Sequence, residues 1–149
     1  VFIKIKKLHK DAVIPAYKTD GAGAFDIHSL GEGVLHPGDT YTFCTGLAFE
    51  IPPGFALMIY SRSGHGFGPE VKLVNGTGII DSDYRGEVMI KLERFRNRIS
   101  TSDDAPFKVS VGDRIAQGII LPVPRVSFIE TEELSETVRG TGGFGSTGA

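Results

Sequence analysis

Short apolar or alternating runs, separated by turn formers, recur from one end of this chain to the other. The runs Phe2–Lys6, Tyr41–Thr45, Leu47–Ile51, Phe55–Tyr60, Val71–Val74, Glu87–Leu92, Phe107–Val111, Ile115–Leu121 and Val126–Ile129 each fit a strand better than a helix. Between them stand Pro37-Gly38-Asp39, Pro52-Pro53-Gly54, Val111-Gly112-Asp113 and Pro122-Val123-Pro124, turn chemistry that a helix does not absorb. The class is therefore all-β. Only Thr131–Val138 has helical composition, with Thr131 placed to cap and Glu132 and Glu133 in the first turn, and it is long enough for about one turn.

At 149 residues the chain fits one domain with a real core, since compact domains commonly run to about 100–200 residues. Residues 1–138 make up that domain. In the remaining stretch, Arg139–Ala149, glycines at 140, 142, 143, 145 and 148 leave too little apolar volume for core, so it reads as a flexible arm of the same domain. Arg94–Asp104 is polar and without apolar period, which predicts a solvated surface loop carrying Arg94, Arg96 and Arg98. No apolar run approaches the ~20 residues of a membrane span, and Val1–Leu8 alternates with lysines instead of forming a signal-peptide block, so the expectation is a cytoplasmic protein without a membrane partner. The net charge of −2 argues against general nucleic-acid binding. The single cysteine, Cys44, lies in a strand-like run and reads as structural, and the four histidines lack metal-ligand spacing.

Chemistry concentrates in a few segments. Asn75 through Gly86 lies between two strand-like runs, which suggests a β-hairpin. Small residues at Gly76 and Gly78 leave its backbone groups open to a planar ligand. Asp81 follows two isoleucines, so its carboxylate is either a partly desolvated general base or a turn aspartate capping backbone amides. Ser61-Arg62-Ser63-Gly64 gathers hydroxyls, a guanidinium and a glycine at a strand end, the ingredients for phosphate oxygens. Gln117, after the Gly112-Asp113-Arg114 turn, is either a phosphate or water ligand or a satisfied edge-strand amide.

The tail contains a literal G-x-G-x-x-G at Gly140–Gly145, but a dinucleotide fold needs a following helix, and only four residues follow Gly145. Either it is a solvated tail, or it is an arm that orders over a nucleotide. In the second case Phe144 stacks on a base while Arg139, Ser146, Thr147 and backbone amides hold phosphates.

In this order along the chain, Gly23-Ala24-Phe25-Asp26-Ile27, Ser61-Arg62-Ser63-Gly64, Asn75 through Gly86, Gly112 through Gln117 and Arg139 through Gly148 resemble the five motifs of the homotrimeric dUTP pyrophosphatase (dUTPase) family. The likeness spans nearly the whole chain, and its third and fifth motifs are highly specific. It implies an antiparallel β-barrel or jelly-roll subunit in a trimer with active sites at the subunit interfaces. It also implies hydrolysis of dUTP to dUMP and pyrophosphate.

By the same resemblance, Asp81 activates the attacking water, and Asn75, Gly78 and Ile80 form the uracil slot. Tyr84 packs beneath the deoxyribose. Arg62, Ser63, Gly64 and Gln117 contact the phosphates, and Arg139, Phe144, Gly145, Ser146 and Thr147 close over the nucleotide. Mg²⁺ arrives with the triphosphate, and Asp26 holds it indirectly, through water. Arg114 is left to structural contacts. Four departures stand against the family pattern: Ala24 in a glycine place, Ser61 opening the second motif, Gly118 where a larger apolar residue is usual, and a longer Arg94–Asp104 loop. Two alternatives are a related dCTP deaminase, which would release ammonia, and a non-enzymatic binding protein on the same fold, with that loop as its contact surface.

Overall fold

The computed structural model describes residues 1–95 and 105–143. It contains eleven strands: β1 (Lys4–Lys7), β2 (Phe25–His28), β3 (Gly33–Leu35), β4 (Thr40–Cys44), β5 (Leu47–Glu50), β6 (Phe55–Tyr60), β7 (Val71–Leu73), β8 (Thr77–Ile80), β9 (Met89–Arg94), β10 (Phe107–Val109) and β11 (Arg114–Pro122). One short helix, α1 (Ser63–Phe67), follows β6. The strands pair antiparallel in four sheets, ordered β2-β11-β6-β8, β4-β9-β7, β1-β5 and β10-β3. These pack around one apolar core as a jelly roll; among the described residues they do not close into a single barrel sheet.

Side-chain alternation explains the packing. In β9, Ile90 and Leu92 point inward while Met89 and Lys91 face out. The same period carries Arg94 inward, where it is only 5% exposed. Its placement in a solvated loop is thus corrected: Arg94 ends a strand. Its guanidinium donates to the carbonyls of Leu35 and Ala105, which makes burial of the charge tolerable. Arg96 and Arg98 lie outside the described residues.

Two further expectations fail. Among the described residues Val126–Ile129 pairs with no strand, and Phe128 is 95% exposed; Thr131–Val138 forms no helix. Neither segment packs an apolar face onto the domain, and short strands and helices depend on such packing for stability. After Val123, whose N–H donates to the Gly54 carbonyl, the described arm is exposed through residue 141 and forms no strand or helix, and its backbone bonds are local, Gly140 to Thr137 and Gly142 to Arg139. Strands β2, β3 and β8 and helix α1 were not anticipated as separate elements.

Candidate active site

The two runs flanking Asn75–Gly86 do pair, as β7 with β9, but the chain between them is more than a loop. It turns at Val74–Gly76 and crosses as β8 to the neighbouring sheet, pairing Leu57 with Ile80 and Tyr60 with Thr77. Switching sheets here opens a cleft of about 300 Å³ between β8 and β9. Asn75, Gly78 and Ile80 line it together with Ile59, Leu73, Ile79, Met89 and Lys91. Its walls are largely apolar, with the Asn75 amide and the Lys91 ammonium as polar groups, a lining suited to a flat heterocycle.

Asp81 follows β8 at the edge of this region. The anticipated desolvation by two isoleucines is absent in the single subunit: Asp81 is exposed, and Ile79 itself is 62% exposed. The turn beyond it closes through the main chain, the Tyr84 N–H donating to the Asp81 carbonyl at 3.2 Å. Among the described residues the Asp81 carboxylate caps no amide and pairs with no cation, so both oxygens remain available. Tyr84 is held on both sides. Its hydroxyl donates to the Glu87 carbonyl at 3.0 Å, and its ring lies over Gly86, where a Cβ would come within 2.6 Å of the Tyr84 Cζ. Glu87 in turn accepts from the Gly46 N–H at 2.7 Å, anchoring the turn to the core sheet.

The remaining candidates gather elsewhere. Gln117 stands opposite both Asp26 and Tyr60 in register, so Asp26, Gln117 and Tyr60 share one face of the sheet. Asp26 is buried and lies between two guanidinium groups, with Arg62 Nε 3.4 Å from Oδ1 and Arg114 Nη1 3.3 Å from Oδ2. Arg114 thus makes the structural contacts expected of it. Arg62 also donates through Nη1 to the Arg114 carbonyl at 3.0 Å, while Ser63 and Gly64 open α1 on the surface. Two histidines that the motif pattern did not single out border this cluster. Burial pushes the proton affinity of His28 below the usual imidazole value, with Asp26 opposing; burial and then Arg62 do the same for His65. Neither histidine has ligand spacing, although each stands close in sequence to the cluster, His28 two residues after Asp26 and His65 three after Arg62.

The two groups of residues lie toward opposite strand ends of the β2-β11-β6-β8 sheet. Thr77 sits beside Tyr60, next to Arg62, whereas Asp81 lies beyond the Leu57–Ile80 pair. At about 3.3 Å per residue, the four steps from Thr77 to Asp81 span ~13 Å. Among the described residues the Arg139 side chain donates only to the Gly142 carbonyl. Phe144, Gly145, Ser146 and Thr147 lie outside the described residues.

The described residues include no group of three or more His, Cys, Asp or Glu able to hold a metal ion. Asp26, already shared by two arginines, does not supply a free carboxylate. No described helix is long and apolar enough to cross a membrane.

The profile of the dUTPase family matches residues 10–148. The deoxyuridine 5'-triphosphate nucleotidohydrolase of Nautilia profundicola is 47% identical over 146 residues, covering 98% of each chain. That of Helicobacter pylori is 42% identical over 146 residues, covering 98% of this chain and 96% of the other. Among solved structures, the dUTPase of Staphylococcus bacteriophage 80alpha with dUPNHPP superimposes with a TM-score of 0.87 at 27% identity over 99% of both chains. With a family profile and relatives that each span nearly its whole length, the chain belongs to the dUTPase family.

Proposed function

We propose that Asp81 accepts a proton from a water molecule that attacks the α-phosphorus of Mg·dUTP in line. The bond from that phosphorus to the β-phosphate oxygen breaks, releasing dUMP and pyrophosphate. Hydrolysis of dUTP follows from membership of the family; the proposal concerns how this chain achieves it. The observation that carries it is the unpaired Asp81 carboxylate at the end of the strand whose Gly78 and Ile80 line the cleft.

In this proposal the uracil enters that cleft and is read by backbone groups near Gly78 and by Asn75. Cytosine presents the opposite donor and acceptor pattern, and a buried mismatch of that kind discriminates by roughly 10⁴-fold or more. Tyr84, held over Gly86, underlies the deoxyribose and leaves no room for a 2′-hydroxyl.

The phosphate chain is held by Arg62, Ser63, Gly64 and Gln117 of a neighbouring subunit in a homotrimer. The ~13 Å separation along β8 supports that division, because one subunit alone does not bring Arg62 beside Asp81. The exposed arm, whose described residues after Val123 pack no side chain into the core, supports donation of Arg139, Phe144, Gly145, Ser146 and Thr147 to another subunit's site. Magnesium bound to the triphosphate oxygens neutralises charge on the leaving group. Asp26 acts on this arrangement through the arginines that it holds.

The test is to supply each deoxynucleoside triphosphate with Mg²⁺ and measure pyrophosphate and ammonia, for the wild type and for Asp81→Asn. Pyrophosphate from dUTP alone is expected. The variant should bind dUTP with turnover lower by about 10²–10⁴-fold. Wild-type turnover in the variant would remove Asp81 from the mechanism, and ammonia from dCTP would replace hydrolysis with deamination.

A further inference from the structure

We propose that His65 is a positioning residue for Arg62: as a neutral hydrogen-bond acceptor it fixes which edge of the guanidinium is presented to the triphosphate. This rests on the phosphate-binding role given to Arg62 above.

Arg62 is held on the protein side by three contacts. Nε faces Asp26 Oδ1 at 3.4 Å, Nη1 donates to the Arg114 carbonyl at 3.0 Å, and Nη1 also lies 3.1 Å from His65 Nε2. A guanidinium carries only donors, so the last contact is a hydrogen bond when Nε2 bears a lone pair and the ring proton sits on Nδ1. Nδ1 is buried with no hydrogen-bond partner, so the ring's polar contact is made through Nε2.

The imidazole is fixed in place. Its ring meets the Phe107 ring edge-on at 5.1 Å, and the backbone N–H groups of His65 and Gly66 both donate to the Arg62 carbonyl at 3.1 Å. Position 65 is thus tied to the residue that it orients. Nη1 is taken by the Arg114 carbonyl and His65, and Nε is buried in ion-pair contact with Asp26 without a hydrogen bond, so Nη2, which makes no hydrogen bond among the described residues, is the edge left for an anion.

The charged groups that face His65 are Arg62 just before α1, Asp113 in the turn before β11, and Arg114 in β11. Burial and the two arginines favour the neutral ring, and Asp113 opposes them. On acidification a protonated ring would turn its acceptor into a donor facing a guanidinium, and Arg62 would lose its orientation.

The experiment is steady-state dUTP hydrolysis with Mg²⁺ by the full chain, from about pH 5.5 to 8.5, a range that brackets imidazole titration. His65→Leu should raise KM about 3- to 10-fold at neutral pH with kcat within about twofold, as loss of binding shared by ground and transition states requires. His65→Gln keeps an acceptor that does not titrate. It should restore the neutral-pH KM and abolish the rise in KM that the wild type shows on the acid side. A wild-type KM in His65→Leu, or an acid-side rise that persists in His65→Gln, overturns the proposal. If circular dichroism shows that His65→Leu is unfolded, the His65→Gln profile decides. Arg62→Gln separates the two levels: an unchanged KM there removes the phosphate role of Arg62 itself, whereas a raised KM beside an unaffected His65→Leu removes only the positioning.

Discussion

Gly118 on β11 stands directly opposite Phe25 on β2, and the Phe25 ring occupies the space in which any side chain at 118 would lie. A Cβ there would come within 2.7 Å of the Phe25 Cζ and 3.0 Å of the Leu57 Cδ1. The glycine that departs from the family pattern is therefore matched by an aromatic residue that fills the same volume from the adjacent strand. Gly118→Ala should destabilise the fold by about 1–3 kcal/mol, the usual range for overpacking. In a double-mutant cycle with Phe25→Leu the two changes should offset one another. Urea midpoints measure this, and additive losses would show that the two positions do not share one volume.

Tyr84 is fixed by a hydroxyl bond to the Glu87 carbonyl and by contact of its ring with Gly86. Removing the hydroxyl leaves the ring in place, so Tyr84→Phe should cost about 0.5–1.5 kcal/mol in stability and keep the preference for dUTP over UTP. Tyr84→Ala removes the ring and should relax that preference. Competition of UTP against dUTP reads both variants, and undiminished selectivity in Tyr84→Ala would take the sugar-discriminating role away from Tyr84.

Deleting residues 139–149 removes chain whose described part, 139–143, adds nothing to the buried apolar core; among the described residues that core ends at Ala116. The truncated protein should retain its thermal midpoint within a degree or two and its oligomeric state by light scattering, with a severe loss of dUTP turnover. Dissociation of the oligomer on truncation would show that the arm is structural.

Strand content was legible wherever apolar runs stood between turn formers, as in Phe55–Tyr60 and Ile115–Leu121, and the motif spacing picked out residues that the fold gathers into a cleft and an arginine cluster. What escaped was set by tertiary context. Val126–Ile129 has strand composition but no described partner, and composition alone does not supply one. Arg94 was placed in a loop by its charge, although the inward period of Ile90 and Leu92 already pointed to it. His65 left no pattern to read, because its partner Arg62 is a sequence neighbour while Phe107 and Arg114 arrive from distant strands.

The pH dependence of stability follows from His28 and His65. Both have folded proton affinities below the ordinary 6.5, chiefly through burial. Between the folded value and 6.5 the unfolded chain binds more protons than the folded one, so stability rises with pH through that window. The contribution is fully present above 6.5 and is lost as pH falls through the folded values. Thermal midpoints should therefore drop on going from about pH 7.5 to 5.5, and less steeply in His65→Gln. A midpoint that is flat or rises toward acid would contradict neutral burial of these rings.

Arg94 is the charge that the core has accommodated at most risk. It lies at the inward end of β9, 5% exposed, and its guanidinium serves the carbonyls of Leu35 and Ala105. Arg94→Ala leaves those acceptors short of a donor and opens space beside Leu35, and should cost at least the 1.5–3 kcal/mol or so of a charge-assisted hydrogen bond. Arg94→Met restores much of the volume without the donors, so the difference between the two variants separates packing from polar satisfaction. If Met matches the wild type in urea denaturation while Ala does not, Arg94 acts as filler. If both fall together, the bonds to the two carbonyls are what β9 needs at this position. The second outcome is expected, because Arg94 is almost wholly buried and methionine supplies no donor to either carbonyl.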